Sequence, residues 1–225
     1  MSVIRPNLRV AVFVERFAES DIPAQLYILK FHRMRLSNRH LEQKAVDLCD
    51  IQPDHDVLEV GFGGGEGLKY AAKQVRGGSG KIFGIDISNV CVQHASSKFK
   101  RLIRKDKIDV SLGTVGNLPY EPNTFHSAFH VNTFFFWSNM SLACSELYRV
   151  LRPGSKLVSV VDLKHYSVLK KKNLLPMMSV DPINYMFSLE AAGFTDVRVE
   201  YFEERGVEYP AFLASVEPDL KVELE

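Results

Sequence analysis

The sequence predicts an α/β fold: an open, mostly parallel sheet with helices on both faces. Three observations carry the prediction. Short β-branched and apolar runs alternate with helical stretches, which is the pattern of strands joined by right-handed crossovers. A glycine cluster follows immediately behind the first of these runs. Two strand-like segments close the chain as a hairpin.

Taken in order, residues 1–52 read as mostly helical, with Leu26, Leu29, Phe31 and Met34 on one side, and form an N-terminal helical cap. Pro53 and Asp54 punctuate the chain, so that 53–225 is expected to be the main domain. DVLEV at 56–60 is the kind of run buried on both sides in a parallel sheet. Further strands are expected at 81–86, 108–112, 125–131 and 156–162, and helices at 65–75, 89–104, 139–151 and 182–192. VRVEYF and VEYPAFLASV read as the hairpin, with Arg205 and Gly206 near its turn.

Composition narrows the function classes. With 28 Lys and Arg against 27 Asp and Glu, the net charge of +1 supplies no global field toward nucleic acid or membranes. The 46% hydrophobic content is that of a globular domain. Cys49, Cys91 and Cys144 match neither zinc-ligand nor disulfide spacing, so no metal is expected and a reducing, cytoplasmic setting is. No apolar run reaches the length of about 18 residues that a membrane span needs. The N-terminal apolar stretch is broken by Arg5, Arg9, Glu15 and Arg16, unlike a secretory signal.

The chemistry concentrates in EVGFGGGEG at 59–67, between a predicted strand and a predicted helix, where open α/β sheets bind ligands. Gly61, Gly63 and Gly65 clear side chains from a sharp turn or from the approach of a ligand. A flexible turn is the plainer reading. The next strand ends in Asp86, placed to accept the hydroxyls of a ribose, or else simply an acid at a helix start with Ser88 or Asn89 as cap. A dinucleotide fingerprint would need Gly where Glu66 stands, and no Gly-Lys-Ser/Thr follows to make a P-loop. Taken together, the glycines and Asp86 indicate a nucleoside-containing cofactor, with NAD disfavoured.

Glu59, Gly61, Gly63 and Gly65 resemble the acidic-x-Gly-x-Gly-x-Gly motif of class I S-adenosylmethionine-dependent methyltransferases, and GIDIS resembles the segment bearing their ribose-binding acid. LPY at 118–120, RVLRPGSKLV at 149–158 and AAGFTDVRV at 191–199 extend the resemblance over roughly 55–215, toward the ubiquinone-biosynthesis-like group, methyltransferase type 11. The resemblance implies a Rossmann-like, seven-stranded sheet with an antiparallel last strand, and S-adenosyl-L-methionine as cofactor. It implies that Glu59 organises the methionine end, that glycine amides line its path, that Asp86 holds the ribose and that Ile87 packs on adenine. Thr114 and Val115 stand where the family has Asp-Ala beside the adenine, and His126 where it has Asp in the fourth strand.

A sulfonium methyl group is already activated, so alignment rather than a universal catalytic residue is expected. Of the seven histidines, His130 is the candidate base, near the carboxyl end of the fourth strand beside Asn132, where the family sets residues between cofactor and acceptor. His165 and Tyr166 come next. Phe134, Phe135, Phe136 and Trp137 form either core packing or a wall against the sulfonium. The acceptor is expected to be a small molecule. Two other readings are a non-catalytic scaffold of the same fold and an adenine-N6 methyltransferase, the latter suggested by GNLPY at 116–120. GNLPY precedes the fourth strand rather than ending it. Lys98, Arg101 and Lys105 share a helical face that reads as solvated surface, so no nucleic-acid partner is expected.

Overall fold

The computed structural model describes residues 38–171 and 181–218. The elements run α1 (Arg39–Leu48), β1 (Val57–Val60), α2 (Glu66–Gln74), β2 (Ile82–Asp86), α3 (Asn89–Lys98), α4 (Lys100–Arg104), β3 (Ile108–Leu112), β4 (Phe125–Val131), α5 (Met140–Val150), β5 (Leu151–Val160), α6 (Leu163–Lys171), α7 (Pro182–Ala192), β6 (Thr195–Glu204) and β7 (Val207–Ser215). A short 3-10 turn covers Phe134–Phe136.

The strands form one seven-stranded sheet in the order β3-β2-β1-β4-β5-β7-β6. Neighbours from β3 through β5 pair in parallel, and β7 runs antiparallel to both β5 and β6. This is the mostly parallel, Rossmann-like sheet with an antiparallel last strand that the sequence led us to expect. Strand order reverses between β1 and β4, and such a switch point opens a crevice at the carboxyl ends of the strands. All four residues of β1 are buried, because it sits at the centre with helices on both sides. Leu41, Ala45 and Val46 of α1 join Leu68, Ala71, Ala95 and Phe99 on one face. Ala143, Leu147, Tyr185 and Leu189 of α5 and α7 cover the other.

Several boundaries differ from the sequence reading. The helix expected over 89–104 breaks at Phe99, which closes α3 and opens α4 at φ −103°, ψ 12°. That break turns the Phe99 ring inward under Gly65, where an added Cβ would come within 2.8 Å of it. Strand β5 starts at Leu151, earlier than expected, since Leu151 pairs with Phe125 while Lys156 already pairs with Ser127, so the residues between loop out around Gly154. Helix α6 was not anticipated, although Asp162 accepts a bond from the His165 amide at 2.9 Å and is a legible start signal. The hairpin turns at Arg205 and Gly206, both at positive φ. Of the cap expected over 1–52, residues 1–37 lie outside the described ones.

Replacing Phe99 by Ala removes the buried ring that fills the space beneath the glycine loop. Urea denaturation is expected to show a loss of about 3 to 5 kcal/mol. A loss well under 1 kcal/mol would mean that the loop does not rest on this ring.

Candidate functional site

Strand β1 delivers the chain into the loop, and the Gly61 amide extends the ladder by donating to the Ile85 carbonyl at 2.7 Å. Gly65 then donates to the Phe62 carbonyl at 2.7 Å, which closes a tight turn before α2. Gly61 and Gly63 both lie in the left-handed region, with φ of +72° and +47°. They differ in what surrounds them. A Cβ on Gly61 would meet Thr133 Cγ2 at 2.5 Å, whereas one on Gly63 would have nothing within 4 Å among the described residues. Gly61 is therefore required by packing, while Gly63 has open space beside it among those residues.

Asp86, buried at the end of β2, ties the loop to its neighbour. Its Oδ2 accepts from the Gly63 amide and its Oδ1 from the Ser88 amide, each at 2.8 Å. Burial holds its pKa above the usual carboxylate range, and the two amides offset part of that shift. Each oxygen of a carboxylate has a second lone pair, so two acceptor positions remain for a pair of hydroxyls. Ile87 beside it is exposed, an apolar side chain available to a flat ring. Thr114 bridges to Asn117, and its hydroxyl accepts from the Gly116 amide at 3.4 Å. Val115 is buried in the core.

Three glutamates, in addition to Asp86, lie buried beside the loop: Glu42, Glu59 and Glu66. A Cβ on Gly67 would overlap the carboxyls of both Glu59 and Glu42, which places those two against the first turn of α2. The Leu68 amide bonds to Glu59. Burial, then the neighbouring charges of Glu42 and Asp86, raise Glu59 well above the usual range. Glu42 is pushed up to about 8, chiefly by burial and further by Glu66, with its bond to Glu59 acting the other way. Glu66 points toward cations instead, with Lys98 Nζ at 3.0 Å and Arg39 Nε at 3.5 Å.

Lys98 corrects the surface reading of the basic cluster. Its Nζ also donates to the carbonyls of Gly64 at 2.8 Å and Gly65 at 3.3 Å, so it clamps the loop. No local spacing relates Lys98 to residues 64–66. Glu42 was missed for the same reason, since only the packing of α1 on α2 brings it under the loop.

On the other side of the crevice stands the end of β4. His130 is fully buried, with Nε2 at 2.8 Å from the Tyr185 hydroxyl. Its Nδ1 lies 2.9 Å from Thr133 Oγ1 and 3.3 Å from Ser159 Oγ. Desolvation lowers its pKa to about 3, so the ring is neutral. Asn132 adopts φ +57°, accepts from the Asp162 amide at 2.8 Å through Oδ1, and is nearly buried. Its Nδ2 has no hydrogen-bond partner among the described residues. Of the aromatic run, Phe134 and Phe135 belong to the core, while Phe136 and Trp137 are half-buried. Trp137 packs on His130 with ring centres 4.8 Å apart.

Two other sequence features have structural employment. His126 lies at the opposite end of β4, where Nδ1 accepts from the Asp56 amide at 3.0 Å and the ring stacks on His55. In the LPY segment, Arg149 donates to the Tyr120 carbonyl at 2.7 Å and the Leu118 carbonyl at 3.0 Å. Glu146 accepts from the Leu118 amide, so the segment is fastened to α5. His165 is exposed, and Tyr166 is buried against Phe135.

Comparison with known proteins agrees with this geometry. The family described as "Methyltransferase domain" matches residues 58–159, from the middle of β1 to the end of β5. The chain is a class I S-adenosylmethionine-dependent methyltransferase. An uncharacterized methyltransferase of Bacillus subtilis strain 168, YdaC, is 24% identical over 170 residues, 75% of this chain and 87% of that protein. A demethylmenaquinone methyltransferase of Symbiobacterium thermophilum is 26% identical over 79% of this chain and 74% of its own length. A solved S-adenosylmethionine-dependent methyltransferase from Aquifex aeolicus superposes with a TM-score of 0.57, at 25% identity, over 77% of this chain and 88% of that one. The methyltransferase uses S-adenosyl-L-methionine as its cofactor, and the open space at Gly63 beside the Asp86 carboxylate fits a nucleoside of that kind. Among the described residues, no helix is long and apolar enough to cross a membrane.

The contrast between the two glycines is testable. Gly63→Ala is expected to cost stability only the backbone strain of a left-handed residue, about 1 kcal/mol, yet to weaken cofactor binding at least tenfold. Gly61→Ala is expected to lower both together, because Thr133 must move. Thermal unfolding alongside calorimetric titration of the cofactor separates the cases, and intact binding by Gly63→Ala would contradict the cradle.

Proposed function

We propose that this methyltransferase transfers the methyl group of S-adenosylmethionine to a small-molecule acceptor in the cytoplasm, with the cofactor held by Glu59, Gly61, Gly63, Gly65, Asp86, Ile87, Thr114, Val115 and Asn132. The observation that carries the reading is the Asp86 carboxylate, fixed by two amides at the end of β2 and facing the glycine-rich loop. Bound there, the cofactor supplies an activated methyl group, and the transfer is an in-line displacement. The acceptor enters over the end of β4, between the half-buried rings of Phe136 and Trp137. Two relatives support a small organic acceptor by their names, a demethylmenaquinone methyltransferase and a ubiquinone/menaquinone biosynthesis C-methyltransferase of Hydrogenovibrio crunogenus.

His130, the base suggested by the sequence, enters this reading as a positioning group. Both ring nitrogens are engaged by hydroxyls, and the ring holds Thr133 against Gly61 and Tyr185 against the end of β4. Asn132 presents a buried amide donor whose hydrogens have no protein partner among the described residues, and a ligand oxygen would satisfy it.

Asp86→Ala is expected to weaken binding of S-adenosylmethionine by about 1 to 3 kcal/mol, the scale of hydrogen bonds to a charged group. Calorimetric titration measures it, and unchanged affinity would refute the site. No binding to the unaltered protein at millimolar cofactor would favour the scaffold reading. Transfer of tritiated methyl to metabolite rather than macromolecule fractions tests the acceptor class.

For His130, a pKa of about 3 means that the ring neither gains nor loses a proton between pH 5 and 9. The pH–rate profile is therefore expected to lack a histidine inflection near pH 6.5. Finding one that disappears in His130→Ala would restore the base assignment.

A further inference from the structure

Glu42 belongs to none of the motifs that mark the cofactor loop, yet α1 brings its carboxyl against that of Glu59 beside Gly67. Both side chains are at least nine-tenths buried, and Oε2 of each has no hydrogen-bond partner among the described residues. Neither has an ion-pair partner there. The surrounding cations, Arg39 on α1, Lys69 on α2 and Lys98 on α3, converge on Glu66 instead. Asp86 on β2 adds a further negative charge facing Glu59, and His40 lies next along α1. Two carboxyl groups in contact, away from water and without a cation of their own among the described residues, do not both ionise. They keep a proton between them, consistent with the raised pKa of each.

The methyl donor and the spent product differ in one respect that such a pair can sense. The donor carries a positive sulfonium, and the product a neutral thioether. We infer that Glu42 is a specificity-determining residue: the Glu42–Glu59 pair gives up its shared proton when the cationic donor occupies the loop, and keeps it when the neutral product does. No bond is made to the cofactor. One proton leaves the pair for solvent, and the pair gains one negative charge that offsets the sulfonium. The enzyme thereby favours donor over product by charge, and more so as pH rises. The inference rests on the cradle at residues 61–65 proposed above.

The sign follows from linkage. A cation favours the deprotonated pair, so donor affinity rises with pH through the range in which the pair titrates. Product affinity lacks this contribution, and the amino group common to both ligands largely cancels in their ratio.

Calorimetric titration of the full chain with S-adenosylmethionine and with S-adenosylhomocysteine, at pH 6.5, 7.5 and 8.5, tests it in two buffers of different ionisation enthalpy. The donor is expected to release more protons than the product. The donor-to-product affinity ratio is expected to rise about threefold to tenfold across the window, as partial release of one proton gives, full release setting a ceiling of about tenfold per pH unit. In Glu42→Gln the neighbouring charge is removed while burial and Asp86 still act on Glu59, so the ratio should rise less steeply with pH. Equal proton release by both ligands in the unaltered protein overturns the inference, whether or not the variant folds. So does an equally steep ratio in Glu42→Gln. If neither ligand binds the unaltered protein, the cradle itself fails, and the inference with it.

Discussion

The hydrogen bond from the Gly63 amide to Asp86 Oδ2, 2.8 Å long, is the constraint on which the site depends. It joins the loop after β1 to the end of β2 and fixes the glycine-rich main chain around Phe62 at the reversal of strand order. The bond needs Gly63 at positive φ, and it needs Asp86 in a strand paired in register with β1, which the sheet supplies from Val57–Ile82 to Val60–Ile85. The parallel sheet is therefore not a neutral platform. Its register determines whether loop amide and carboxylate meet.

Around that bond, contacts distant in sequence hold the loop in place. Phe99 fills the space under Gly65 at the break between two helices, and Thr133 closes on Gly61 from the end of β4. Lys98 holds the carbonyls of Gly64 and Gly65. Each contact comes from a different element, so the loop is shaped by the whole carboxyl edge of the sheet. On the far side, His130 fastens Tyr185 of α7 to β4, so the segment after β5 and the cofactor loop share one buried hydrogen-bonded centre. The end of β4 is thereby mechanically tied both to α7 and, through Thr133, to the loop after β1.

The parts of this arrangement that were legible in the sequence are those encoded locally. Periodicity and length located the strands, because a buried parallel strand is a short apolar run wherever it occurs. Glycines followed 21 residues later by an acid marked the loop and its partner, because the βαβ unit fixes that separation. What stayed hidden depends on contacts between distant segments. Lys98 read as surface because its helical neighbours Arg101 and Lys105 are exposed or solvated, and only the tertiary fold turns its ammonium onto loop carbonyls. Glu42 lay within a stretch that read as a cap. Phe99 interrupts a helix that propensity alone would continue, since burying a ring outweighs one more turn. Helix α6 differs in that its start signal, the Asp162 cap, is local and visible in the sequence.

The central claim is that the cofactor lies along residues 61–65 and against Asp86. Titration of ¹⁵N-labelled protein with S-adenosylmethionine, followed through backbone amide shifts, tests it residue by residue. The largest saturable shifts should fall on Gly61, Gly63, Gly65, Ile87 and Ser88. Saturable binding that leaves those amides unmoved while perturbing another region would contradict the account.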